Sequence, residues 1–85
     1  MEILYKGIFV RQLNKLTKDL QDEVLEKIEM FRNRKNHEPL KVHKLHGPFK
    51  DCYSFSVNYE YRIIFSYESR KEIVLLAIGK HDLYK

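Results

Sequence analysis

At Leu40 the spacing of the apolar residues changes, and that change limits what this chain can fold into. Before it, apolar residues recur every three or four positions. After it, they recur every second position. "FVRQLNKL" places Phe9, Leu13 and Leu16 on one face of a helix. "LQDEVLEKIEMF" repeats the pattern with Val24, Ile28 and Phe31, joined by Leu20 and Leu25. Thr17 and Asp19, at the break between them, are candidate caps. So short a joint predicts an antiparallel helical hairpin. "EILYKG" (2–7) ahead of it reads as a short strand, and "RNRKNHEP" (32–39) behind it as a polar loop.

In the second half, "LKVHKLHG" reads as a strand. "CYSFSV" puts Tyr53, Phe55 and Val57 on one face and Cys52, Ser54 and Ser56 on the other. "YRIIFSY" divides in the same way, with Arg62, Ile64 and Ser66 opposite Tyr61, Ile63, Phe65 and Tyr67. "ESRK" is a turn. "EIVLLAI" is apolar on both faces, which predicts a central strand. Strands joined by short turns pair antiparallel. The expected fold is α+β, in the order β-α-α-β-β-β-β, with the helical hairpin on one face of a small, mainly antiparallel sheet. The other face, carrying Ser54, Ser56 and Arg62, is expected to be open and to hold the function.

The chain has 85 residues, which predicts one domain (1–85) with a small core. Its composition, 44% hydrophobic and 33% charged, is that of a globular protein. No apolar run reaches membrane-spanning length, and the first residues lack the apolar core of a secretory signal. Cys52 is the single cysteine, so an internal disulfide is excluded and a reduced, cytoplasmic protein is expected. The net charge is +4. Residues 39–85 carry eight Lys and Arg against five Asp and Glu, whereas residues 1–38 carry eight against seven. The positive field therefore lies mostly on the sheet-forming half, which suits an anionic partner.

Several residues could carry chemistry. Arg62 interrupts an apolar strand; it reads either as a surface arginine or as a fixed guanidinium for a phosphate. His81, directly after the apolar strand, titrates near neutrality and could move a proton. Tyr84 could pack, stack on a base or donate from its hydroxyl. Glu38 and Glu60 are turn carboxylates, either solvated or acting as a base beside a cation. His43 and His46 share "HKLH", but no cysteine pair or H-E-x-x-H helix accompanies them, so no metal site is expected. Lys41, Lys44, Lys50 and Lys80 lie among Phe49, Tyr53 and Tyr59, an interleaving that suits RNA. Cys52 reads as a half-buried strand residue rather than a nucleophile.

Taken together, the helical hairpin, "EPLKVHKLHG", "DCYSFSVNYEYRIIFSY" and "LLAIGKHDLY" resemble the RelE/ParE superfamily of type II toxins over nearly the whole chain. The RelE, YafQ and YoeB branches are mRNA interferases. The resemblance implies metal-independent mRNA cleavage on the ribosome without a cofactor, and inhibition of translation. It also implies a cognate antitoxin as partner. Arg62 matches a strand arginine that stabilises the transition-state phosphate, and His81 matches the YafQ histidine implied as general acid. Tyr84 matches a terminal aromatic. Glu38 resembles the YoeB carboxylate, His43 matches a YafQ histidine, and Glu60 stands where YafQ has an aspartate. Lys44, Lys50, Lys80 and His46, read from the residues themselves, are the candidate RNA- and phosphate-binding groups. Ser54 and Ser56 stand where the RelE branch has lysines. That leaves the base open, with Glu60 and His43 ahead of Glu38. A ParE-like toxin acting on DNA gyrase, and a catalytically decayed module binding RNA or antitoxin, are the alternative readings.

Overall fold

The structure is a computed structural model and describes residues 1–80. Strand β1 (Glu2–Tyr5) leads into helix α1 (Gly7–Asn14), and three residues later helix α2 (Lys18–Phe31) begins. Strands β2 (His43–Lys44), β3 (Tyr53–Ser56), β4 (Tyr61–Tyr67) and β5 (Glu72–Lys80) follow. The sheet order is β1-β5-β4-β3-β2. The β1–β5 pair is parallel and the other three pairs are antiparallel. The expected α+β class and the mainly antiparallel sheet are thus observed, and β5 is an interior strand flanked by β1 and β4. No helix among the described residues is long and apolar enough to cross a membrane.

Local chemistry sets the helix ends. The Thr17 hydroxyl accepts from the Leu20 amide at 3.3 Å and caps α2. Gln21 Nε2 donates to the carbonyls of Leu16 (3.1 Å) and Asn14 (3.4 Å), which α1 leaves without helical partners. Phe9 of α1 and Val24, Ile28 and Phe31 of α2 are buried against Phe55, Ile63, Phe65, Ile73, Leu75 and Ile78 of the sheet. Leu25 does not join them. It is 49% exposed, because it stands one residue past Val24 and so turns about 100° away from the core.

A bulge explains why β5 is apolar on both faces. Its register against β4 passes from Ala77↔Ile64 to Leu75↔Phe65, so Leu76 is the extra residue. The side-chain alternation reverses there, and Ile73, Leu75 and Ile78 all reach the helix-side core.

The second face is not the bare surface expected. Ser54 is fully buried, and Leu45, Ile64 and Val74 are buried outside the main core. The expected strand over "LKVHKLHG" shrinks to His43–Lys44. Lys41 takes a left-handed backbone (φ 60) that extended pairing does not tolerate. Beyond Lys44, Gly47 (φ 67) and Pro48 turn the chain away.

Strand β5 outruns β1, whose pairing stops at Tyr5↔Leu75. Gln12 of α1 compensates: its Oε1 accepts from the Ile78 amide at 2.9 Å. Gln12→Ala is expected to cost about 1–3 kcal/mol, the penalty for an orphaned half-buried amide. Chemical denaturation would check the loss, and hydrogen exchange would place it at Ile78.

Candidate nucleic-acid and phosphate site

Pairing across the sheet decides which candidate residues share a face. His43 faces Ser54, which faces Ile64, which faces Ala77. In the neighbouring row, Ser56 faces Arg62 and Arg62 faces Gly79. Both rows project from the same side, opposite the helices. His43 and Arg62 therefore stand roughly 12 Å apart at Cα, from ordinary strand spacing and rise. Spanning that gap to a phosphodiester held at His43 requires the Arg62 side chain to extend along the face toward the imidazole.

The left-handed turn at Lys41 orients His43. It presents the Lys41 carbonyl 2.8 Å from His43 Nδ1. A carbonyl oxygen only accepts, so Nδ1 carries the proton of the neutral ring and Nε2 holds the lone pair. Ser54 Oγ lies 3.4 Å from that Nε2, a long contact that a better donor can replace. Ring orientation and tautomer are those of a proton acceptor facing the sheet.

Arg62 is held differently. Its Nη1 donates to the carbonyls of Asn58 (2.7 Å), Tyr61 (3.1 Å) and Tyr59 (3.5 Å), folding the half-buried side chain over the β3–β4 turn. A guanidinium carries five N–H donors. The turn engages Nη1, and the other three donors sit on Nε and Nη2. Asn58 organises the same turn, its Oδ1 accepting from the amides of Glu60 (2.8 Å) and Tyr61 (2.9 Å). Its Nδ2 donates to Glu23 of α2 at 2.7 Å, which ties the hairpin tip to the helix.

Between α2 and this tip lies a cavity of about 550 Å³. Lys27, Lys41, Tyr59 and Arg62 are among its lining residues. The sequence pattern does not single out Glu23, Lys27 or Asn58. "VNYEY" between two alternating segments signals a turn, but no local signal ties its asparagine to a helix residue 35 positions earlier.

The remaining candidates scatter. Glu60 is exposed on the β3–β4 turn and Glu38 is exposed on the loop before β2. Lys44 pairs with Tyr53, and Lys80 with Tyr61, so both project toward the helix side of the sheet, away from His43 and Arg62. Lys50 is exposed after the short turn Gly47–Phe49. His46 shares a hollow of about 290 Å³ with His43 and Lys44. His81 and Tyr84 lie outside the described residues. His37, the fourth histidine, is structural: it stacks on Phe31 at 4.6 Å, and its Nε2 donates to the Phe31 carbonyl at 2.9 Å. Burial, and secondly the charge of Asp51, push the Cys52 thiol above its ordinary pKa, which keeps it protonated and a poor nucleophile at neutral pH.

No family model matches the sequence, and no curated protein matches it either. Solved structures do. The fold is that of the RelE toxin in an archaeal RelE–RelB complex from Pyrococcus horikoshii, at TM-score 0.74 and 23% identity over 96% of both chains. YafQ from E. coli matches at TM-score 0.72 and 21% identity, over 99% of this chain and 98% of that one. A YoeB–YefM complex from Staphylococcus aureus matches at TM-score 0.73 and 16% identity, over 95% and 97%. The chain therefore has the RelE-like toxin fold, as its sequence resemblance implies.

Proposed function

We propose that this protein is the toxin of a type II toxin–antitoxin system and cleaves mRNA on the ribosome. One observation carries the reading. A histidine with an oriented proton-accepting nitrogen and an arginine with unspent donors stand in neighbouring rows of one sheet face. The fold shared with RelE, YafQ and YoeB supports it.

In the proposed reaction, His43 Nε2 takes the proton from a ribose 2′-hydroxyl. The freed oxygen attacks the adjacent phosphorus. The bond from phosphorus to the 5′ oxygen breaks, and His81 protonates that leaving oxygen. Arg62 donates to the phosphoryl oxygens as charge builds on them. The products are a 2′,3′-cyclic phosphate and a 5′-hydroxyl. Among the candidate bases, His43 is favoured because its lone pair is aimed along the shared face. Glu38 and Glu60 sit on exposed loops. The chemistry of the new ends is the test: fragments bearing 5′-phosphates would reject this route.

Arg62→Ala is expected to lower the cleavage rate by about 10²–10³-fold, the usual loss for one preorganised donor. Arg62→Lys should recover little, since an ammonium lacks the planar fork. Because Arg62 also braces the turn, thermal denaturation must accompany the rate measurement. A folded alanine variant cutting within threefold of wild type would remove Arg62 from the mechanism.

The partner that fits is an acidic, partly disordered antitoxin. Charge favours it on a chain of net charge +4. The exposed apolar residues Leu4, Tyr5 and Ile8 offer it contact area. Two of the similar structures are toxins bound to RelB and YefM.

A further inference from the structure

The β3–β4 turn is built more firmly than a connection between two strands requires. Arg62 binds three of its carbonyls, Asn58 binds two of its amides, and Glu23 anchors Asn58 to α2. At the tip of this braced turn stands Tyr59, 98% exposed. Among the described residues, each of the other large exposed hydrophobic side chains is at most half exposed. A braced turn presents the ring with its backbone already ordered, so only the side-chain rotations of Tyr59 are lost when a planar group stacks on it. At its foot lies the cavity lined by Lys27, Lys41 and Arg62. The nearest carboxylate in that lining, Glu23, is occupied by Asn58. Lys27 lies 3.7 Å from Glu26 in a pair half open to solvent, which holds it only weakly.

From this arrangement we infer that Tyr59 is the stacking platform of a nucleotide subsite for unpaired RNA. One base lies on its ring, and the phosphate of that nucleotide enters the cationic cavity beside Arg62. The inference rests on the proposed RNA substrate and extends it by one nucleotide beyond the scissile phosphate. Stacking selects single strands, because only an unpaired base offers a free face.

The test uses a fluorescein-labelled single-stranded RNA decamer with 2′-O-methyl riboses, which no 2′-hydroxyl mechanism can cut. Binding is read by anisotropy for wild type, Tyr59→Ala and Tyr59→Phe. The alanine variant is expected to bind about 5–150-fold more weakly, the usual effect of removing one base-stacking ring. The phenylalanine variant should stay within about threefold of wild type, since the ring and not the hydroxyl carries the stack. The chain has no tryptophan, so Tyr59→Trp adds a clean reporter whose fluorescence should be quenched by the decamer. Three results would overturn the subsite: wild type failing to bind at millimolar decamer, the alanine variant binding within twofold of wild type, or the phenylalanine variant losing as much as alanine. Cleavage separates this inference from the function beneath it. A wild type that binds through Tyr59 without cutting ribosomal mRNA keeps the subsite and rejects the nuclease. A Tyr59→Ala protein that cuts at the wild-type rate keeps the nuclease and rejects the subsite.

Discussion

Replacing His43 with glutamine is expected to lower mRNA cleavage by about 10²–10⁴-fold, the range lost with a general base. Glutamine is uncharged, similar in size, and places its amide near the position of the ring Nε2. It carries no basic lone pair. His43 is exposed and packs in no core cluster, so the substitution should leave the melting temperature nearly unchanged. His81→Ala should cost a similar factor from the acid side. The double variant should be little worse than either single one, because an acid and a base serving one step do not contribute independently. Full activity in His43→Gln would shift the role of base to Glu60 or Glu38.

The second large effect concerns stability. Phe31 is fully buried between two rings: it stacks on Phe55 at 4.3 Å and on His37 at 4.6 Å, and meets Phe65 edge-on at 4.9 Å. It locks the end of α2 to β3, β4 and the following loop at once. Phe31→Ala removes those contacts and leaves a cavity, at a cost of about 3–5 kcal/mol. A chain of this size has only about 4–13 kcal/mol to lose. The melting temperature should fall by roughly 12–40 °C, and the protein should be largely unfolded when warmed modestly. A fall of less than 5 °C in calorimetry would contradict this description of the core.

The two hydrophobic periods make most of the fold legible in the sequence. Val24, Ile28 and Phe31 have only one way to face a common core, and Phe55, Ile63 and Phe65 have only one face of a sheet. The parallel pairing of β1 with β5 is not legible in this way, because no local signal links Glu2 to Glu72. The bulge at Leu76 is equally silent: an all-apolar run shows no phase, so its reversal leaves no trace. The short β2 strand follows from a left-handed residue at Lys41, and lysine carries no signal for that conformation. For the site, the alternation of "CYSFSV" and "YRIIFSY" puts Ser54, Ser56 and Arg62 on one face, but not the burial of Ser54. Nor does it give the bond from Asn58 to Glu23, which joins segments far apart in sequence and makes the β3–β4 turn rigid.

Cleavage mapping decides whether this protein is a ribosome-dependent nuclease. Purified protein is added to a reconstituted translation reaction and, separately, to the same mRNA without ribosomes, with His43→Gln and His81→Ala as controls. The proposed function requires new 5′-hydroxyl ends inside translated codons, only where ribosomes are present and only with the wild type. Intact mRNA in both reactions, from a protein that is folded and monodisperse, would contradict it, and a gyrase supercoiling assay would then test the ParE-like alternative.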